Sequence, residues 1–160
     1  MSAFTRIYVT IWLILFVSQT SKLLFPSKEW AQAFTQELEH DQDFKKVASG
    51  WAWRVVVRIT ELPDELAKSF GSKSIGLMLD LLNSKCVECK LVSEKEAAKI
   101  PYKLTASYNV WLKVLKQELE PYQALVTGKI NLRGDLPRIT RFSDAALMIV
   151  RAMAKVGCSN

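Results

Sequence analysis

Apolar residues recur at every fourth position early in the chain, and this spacing predicts a helix with one apolar face. The members of the stripe are Trp30, Phe34 and Leu38. Ser27 precedes the stripe as an N-cap, and Asp41 can cap a second short helix that ends at Gly50. The domain is therefore expected to open with two helices.

After the second helix, apolar residues recur at every second position, and this spacing predicts β-strands. Apolar residues alternate along residues 51–59, again along 75–81, and again along 87–91. Asn83 and Ser84 lie between the last two segments as a turn. These segments predict an antiparallel meander.

Two further strands are predicted later, one at residues 102–106 and a short one at Ile130 and Leu132. Each predicted strand has one apolar face and one mixed face, so the sheet is expected to be covered on one side and wet on the other. The loop of residues 61–74 is the longest irregular segment, and residues 64–70 can form a helical turn within it.

Helices are predicted before and after the fifth strand in the sequence. Ser107 can cap one, Pro121 can begin the next, and Gly128 ends it. The last helix is expected at residues 135–156, with the apolar stripe Ile139, Phe142, Ala146, Ile149, Met153 and Val156. Its second apolar side holds Leu147, Met148 and Val150. Core, a partner subunit or a ligand could bury that second side.

The length, charge and cysteine content of the chain indicate its domain number, its partners and its compartment. With 160 residues, 49% of them hydrophobic, the chain can bury the core of one domain. A net charge of +6 favours an anionic partner such as a membrane surface, a ligand head group or nucleic acid. Nucleic acid is disfavoured because the aromatics lie on stripes that look buried. Three cysteines are too few for a disulfide framework, which favours a reducing, cytoplasmic compartment.

Residues 7–17 form an apolar run near the start of the chain. This run is too short to cross a bilayer, which takes about 20 residues. Three interpretations stay open: a signal peptide, a membrane anchor, or a mis-assigned start of translation. We therefore predict an N-terminal extension at residues 1–24 and one folded domain at residues 25–157, with membrane association or export left open by the extension.

Motifs for catalysis, metals and nucleotides are sparse. His40 is the only histidine, and the chain has neither G-x-G-x-x-G nor H-E-x-x-H. The Cys86-Val87-Glu88-Cys89 motif lies in a predicted strand, where residues three apart point to opposite faces. We therefore expect Cys89 in the core and Cys86 on the outer face, as structural residues rather than metal ligands or a redox pair. We expect no metal, cofactor or catalysis.

The segment from Leu104 to Gly134 resembles the sterol carrier protein 2 family. A strand leads into a helix, an acidic-Pro step opens a second helix, and a Gly-Lys turn enters the last strand. The residues at these places are Glu120, Pro121, Ala124, Gly128, Lys129 and Gly134. Residues 25–51 also resemble the opening of prokaryotic, particularly archaeal, stand-alone members.

The resemblance implies an α+β fold, in which a five-stranded, largely antiparallel sheet and helices packed on one face enclose an apolar tunnel. It implies non-catalytic binding and transfer of a lipid: a fatty acyl chain, fatty acyl-CoA, phospholipid or sterol-like molecule. The residues predicted to line the tunnel are Leu77, Leu79, Trp111, Leu115, Leu125, Phe142, Ala146, Ile149 and Met153. The alternative is an interaction module without a ligand, which dimerises through the apolar last helix.

Overall fold

The computed structural model describes residues 23–134 and 139–159, with the side chains of residues 139 and 140 left aside. The apolar run at residues 7–17 and the predicted start of the last helix at 135–138 lie outside the described residues. Within the described ranges, no helix is both long and apolar enough to cross a membrane.

The described residues form seven helices and five strands. In chain order they are α1 (Lys28–His40), α2 (Gln42–Val47), β1 (Ala52–Thr60), α3 (Asp64–Phe70), β2 (Ile75–Leu82), β3 (Lys85–Val92), α4 (Glu94–Ala98), β4 (Tyr102–Ser107), α5 (Tyr108–Leu115), α6 (Pro121–Val126), β5 (Asn131–Arg133) and α7 (Ile139–Val156).

Side-chain caps begin the first helices where they were predicted. The Ser27 hydroxyl accepts a 3.1 Å hydrogen bond from the backbone N–H of Trp30. The Asp41 carboxylate accepts from the N–H groups of Asp43 and Phe44, at 3.0 and 3.1 Å. These caps satisfy backbone donors that have no partner within the helix, so short polar side chains fix where each helix begins.

The five strands form one sheet in the order β3-β2-β1-β4-β5. All neighbours are antiparallel except β1 and β4, which are parallel. Asn83 and Ser84 join β2 to β3 with positive φ angles of 49° and 70°, the backbone of a tight hairpin turn. The predicted α+β class with a largely antiparallel sheet is confirmed.

The core lies between one face of this sheet, hereafter the core face, and the larger helices. α7 packs against α1, α2, α5 and α6. The second apolar side of α7 is therefore buried within the chain at Val150 and partly exposed at Leu147 and Met148.

The opposite face of the sheet, hereafter the back face, differs from the prediction because α4 covers part of it. A small apolar cluster joins this helix to the strands, namely Val56, Met78, Val92, Ala97 and Ile100. Gly76 lets the layers approach, since a Cβ there would lie 2.8 Å from Cγ2 of Val56. Arg58 Nε donates a 2.7 Å hydrogen bond to Glu94 of α4. The back face is therefore only partly wet.

Candidate functional site

The structure brings the nine predicted lining residues into one apolar interior. Eight of them are at most 3% exposed, whereas Leu125 is half-buried and packs against the same cluster. Their backbones belong to β2, α5, α6 and α7. The described residues do not show the predicted tunnel itself, so the assignment of these side chains to a ligand stays a prediction.

Two aromatic rings of this set are fixed by specific contacts. Trp111 Nε1 donates a 3.1 Å hydrogen bond to the carbonyl oxygen of Arg58, which ties α5 to β1. The Phe142 ring lies 4.9 Å from the ring of Tyr102 and is tilted by 58°, which ties α7 to β4. These contacts hold two walls of the interior at fixed positions relative to the sheet.

A row of stacked aromatic rings extends from Phe142 across the start of β1 and was not predicted. Tyr102 stacks on Trp53 at 4.6 Å, and Trp53 stacks on Trp51 at 4.0 Å. The Arg141 guanidinium lies 5.6 Å from the centroid of the Trp51 ring. Trp51, which directly precedes β1, and Trp53 within it are two positions apart, as expected for side chains on one face. The neighbouring Tyr102 comes from β4, which pairs with β1 in parallel, and local periodicity does not reveal that pairing.

A surface groove lies between α5, α6 and α7. This helical groove has a volume of 360 Å³. Its lining residues are Val114, Gln117, Leu119, Glu120, Pro121, Arg151, Ala154 and Lys155. Val114 and Ala154 belong to the buried core, whereas Arg151 and Lys155 are exposed. The groove therefore joins an apolar floor to two cations.

A larger hollow of 840 Å³ lies at the sheet end where β1 begins. Its walls include Ala52, Arg54, Asp80 and Leu82, which alternate with the core-facing residues of β1 and β2 and therefore project from the back face. Arg54 and Asp80 form an ion pair there, with Nε and Oδ2 3.4 Å apart. Leu81 and Tyr102, which belong to the main core, also line this hollow. The helical groove differs from it in carrying two exposed cations, Arg151 and Lys155.

The two cysteines of the C-x-x-C motif lie on the same face, which corrects the expectation that they point apart. Val87 is an extra residue in the pairing of β3 with β2, and it reverses the alternation between Cys86 and Cys89. Among residues 23–134 and 139–159, no group of three or more His, Cys, Asp or Glu side chains could hold a metal ion. His40 is exposed at the end of α1.

Comparison with protein-family models matches residues 34–146 to the SCP-2 sterol transfer family. The fold is shared with solved structures of similar proteins. The crystal structure of sterol carrier protein 2 is 28% identical, covering 81% of this chain and 96% of that chain, with a TM-score of 0.65.

A conserved hypothetical protein of Thermus thermophilus, described as a candidate sterol carrier protein, has a solution structure that is 26% identical. The match covers 82% of this chain and 89% of that one, with a TM-score of 0.62. Comparison with curated protein sequences found no match.

The fold is thus that of a small lipid-carrier domain. The chain belongs to the SCP-2 sterol transfer family, because the family model covers more than half of its 160 residues. The resemblance predicted from Leu104 to Gly134 is confirmed. Membership supports lipid or sterol binding and transfer as the general function, and proteins of this family are generally carriers without catalysis.

Proposed function

We propose that this protein binds a single-chain anionic lipid, a fatty acid or a fatty acyl conjugate, and carries it without chemical change. The acyl chain would occupy the interior between the core face of the sheet and α5, α6 and α7. Burial of each methylene contributes about 0.8 kcal/mol, so a partly buried chain already provides useful affinity. The carboxylate or phosphate would lie at the helical groove.

The helical groove is the observation that carries this proposal. Its floor at Val114 and Ala154 belongs to the buried core, and Arg151 and Lys155 stand at its rim. An amphiphile with an apolar tail and an anionic head matches this order of surfaces. Lys155 Nζ lies 3.8 Å from a Glu37 carboxylate oxygen, and this ion pair is exposed to solvent. Because exposed ion pairs contribute little free energy, the Lys155 side chain can turn towards a ligand at little cost.

Lipid exchange is proposed to occur at an anionic membrane surface, because the chain carries a net charge of +6. We place the protein in the cytoplasm, since all three of its cysteines are free. The alternative of a dimerising module that uses α7 is less favoured. On the second apolar side of α7, Val150 is already buried within the chain, and Leu147 and Met148 are half-buried.

The test is a titration of delipidated full-length protein with cis-parinaric acid, a fluorescent fatty acid. We expect saturable binding, and we expect the double variant Arg151→Ala/Lys155→Ala to weaken it about tenfold, the effect of losing about 1.4 kcal/mol of head-group interaction. Mass spectrometry of lipid extracted from the natively purified protein identifies the natural ligand.

Lys68→Ala supplies the matched control, because Lys68 is an exposed lysine of α3 that does not line the helical groove. It should bind cis-parinaric acid like the wild type. A fatty alcohol of the same length should lose little affinity in the double variant, since it has no charge for the cations to hold. No saturable uptake by the wild type would contradict the proposed function, and equal weakening by Lys68→Ala would contradict the role of the groove.

A further inference from the structure

An irregularity in β3 places two cysteines side by side. Leu81 pairs with Cys86 and Leu79 pairs with Cys89, so three steps along β3 correspond to two along β2. Directly paired residues project to the same face of a sheet. Leu79 and Leu81 are both fully buried in the main core, so both cysteines project towards that core beneath α1.

The surroundings of the pair are specific. Cys86 is 6% exposed and Cys89 is half-buried, and both are free thiols. The two thiols lie close enough to influence each other's ionisation, and so does the Thr35 side chain on α1. Cys86 Sγ also donates to the carbonyl oxygen of Glu88 at 3.3 Å. The third cysteine, Cys158, lies elsewhere, near Tyr108 and Lys116.

Hydrogen bonding of the Cys86 thiolate by the Cys89 thiol makes the pKa values of the two groups unequal. It lowers the pKa of Cys86, because the remaining S–H of Cys89 stabilises a thiolate there, although burial opposes the change. The same hydrogen bond, together with burial, raises the pKa of Cys89. The pair therefore loses one proton more easily than an ordinary thiol and retains the other, a condition that favours one nucleophilic sulfur beside a resolving one.

We propose that Cys86 and Cys89 are a reversible oxidation site, which a low-molecular-weight disulfide converts into an intramolecular disulfide. The Cys86 thiolate attacks one sulfur of glutathione disulfide, whose S–S bond breaks, and one glutathione thiolate leaves and takes up a proton. Cys89 then gives up its proton, and its sulfur attacks that of Cys86. The Cys86–Cys89 bond forms and the second glutathione leaves, so two cysteine thiols are oxidised and one disulfide is reduced.

The spacing within the strand suits a labile bond. With the extra residue in between, the two Cα atoms are separated by two strand steps, or roughly 7 Å. Disulfides span Cα separations up to about 6.8 Å, and those at the limit are more easily reduced. Closing the bond must therefore tighten the bulge at Val87, and dithiothreitol should reverse the oxidation readily. This site is independent of the proposed lipid function.

The experiment uses the full chain with Cys158→Ser, so that only the pair can react. Native protein is incubated with glutathione disulfide, alkylated with iodoacetamide, and analysed by intact mass and peptide mapping. We expect the loss of two hydrogens, a cross-link between Cys86 and Cys89, no alkylation, and full recovery of both thiols after dithiothreitol. Cys89→Ser should instead retain a glutathione on Cys86, because no second thiol resolves it.

Two alkylatable thiols after incubation of the folded protein would overturn the proposal, as would a glutathione adduct that persists although both cysteines are present. Because a serine variant can disturb the core, the decisive measurement is made with both cysteines of the pair intact. Circular dichroism before and after oxidation establishes that the reacting protein is folded. A cross-link that forms only after unfolding would also overturn the proposal.

Discussion

Trp30 Nε1 donates a 2.6 Å hydrogen bond to the carbonyl oxygen of Gly157, joining the first turn of α1 to the residue that follows α7. A second link lies nearby, where the backbone N–H of Ser159 donates to the carbonyl oxygen of Leu23 at 2.9 Å. Gly157 adopts a φ of +68°, a conformation that most other residues disfavour. These contacts fix the end of α7 against α1, on the same helix that carries Arg151 and Lys155.

Trp30→Phe should therefore destabilise the protein. The change removes the only side-chain donor of a fully buried ring, and loss of such a hydrogen bond costs about 0.5–1.5 kcal/mol. Trp51→Phe is the matched control, because Trp51 is equally buried but its Nε1 has no hydrogen-bond partner among the described residues. Urea unfolding followed by far-UV circular dichroism measures both, and equal losses would show that the hydrogen bond contributes nothing.

Ala146→Trp tests whether the interior accepts a ligand. Ala146 is fully buried on α7, between Phe142 and Ile149 in the predicted lining. If lipid occupies this space, the indole should replace it, so delipidated variant should keep nearly wild-type stability while uptake of cis-parinaric acid falls sharply. A solid core would instead lose about 1–3 kcal/mol or more through overpacking. Thermal melts and lipid titrations on one sample distinguish the two.

The control for that substitution is Ala97→Trp. Ala97 is also fully buried, but it belongs to α4 and packs into the back-face cluster. Here the large ring should destabilise the fold. The protein that remains folded should still bind the same amount of lipid per molecule. Unchanged stability and unchanged uptake in Ala146→Trp would remove Ala146 from the binding site.

Gly76→Ala should destabilise the back face. A Cβ at this position would lie 2.8 Å from Cγ2 of Val56, 3.0 Å from Cγ2 of Val92 and 3.1 Å from Cβ of Ala97. Forcing that overlap typically costs about 1–3 kcal/mol. Adding Val92→Ala should recover part of the loss by making room, which a double-mutant cycle in urea measures. Strictly additive losses would show that the overlap with Val92 is not the cause.

Val126→Asp should slow lipid delivery to membranes. Val126 is 62% exposed on α6, one turn from the exposed Tyr122, and Pro121 of the same helix lines the helical groove. An apolar patch beside an entrance can insert among lipid head groups, and a carboxylate would oppose this at an anionic surface. We expect severalfold slower transfer of cis-parinaric acid to phosphatidylcholine vesicles containing phosphatidylserine, with unchanged equilibrium binding.

Val87→Asp is the control for that measurement. Val87 is 64% exposed, similar to Val126, but it lies at the bulge of β3. Its transfer rate should match that of the wild type. Equal slowing by both substitutions would indicate a general charge effect and would contradict a specific role for α6.

Local chemistry in the sequence determined most of the secondary structure. Trp30, Phe34 and Leu38 recur at the helical period and are all fully buried, because one helix face must pack against the core. Ser27 and Asp41 begin their helices for the equally local reason that each accepts backbone N–H donors. The family was also recognisable from local sequence features, namely the strand, helices and turns between Leu104 and Gly134.

Tertiary structure decided what depends on distant partners. The bulge at Val87 exists only through the pairing of β3 with β2. Beyond the bulge, side chains lie on the opposite face of the sheet from the one that regular alternation predicts. α4 has only five residues, too few for a periodic stripe, and is held by Val56 and Met78 from distant strands. The helical groove likewise needs Val114 and Arg151 brought together by packing of α5 on α7. Periodicity along a chain specifies which side of a helix or strand is apolar. The register of each strand and the packing partners of each element are set only when all the elements pack around one core.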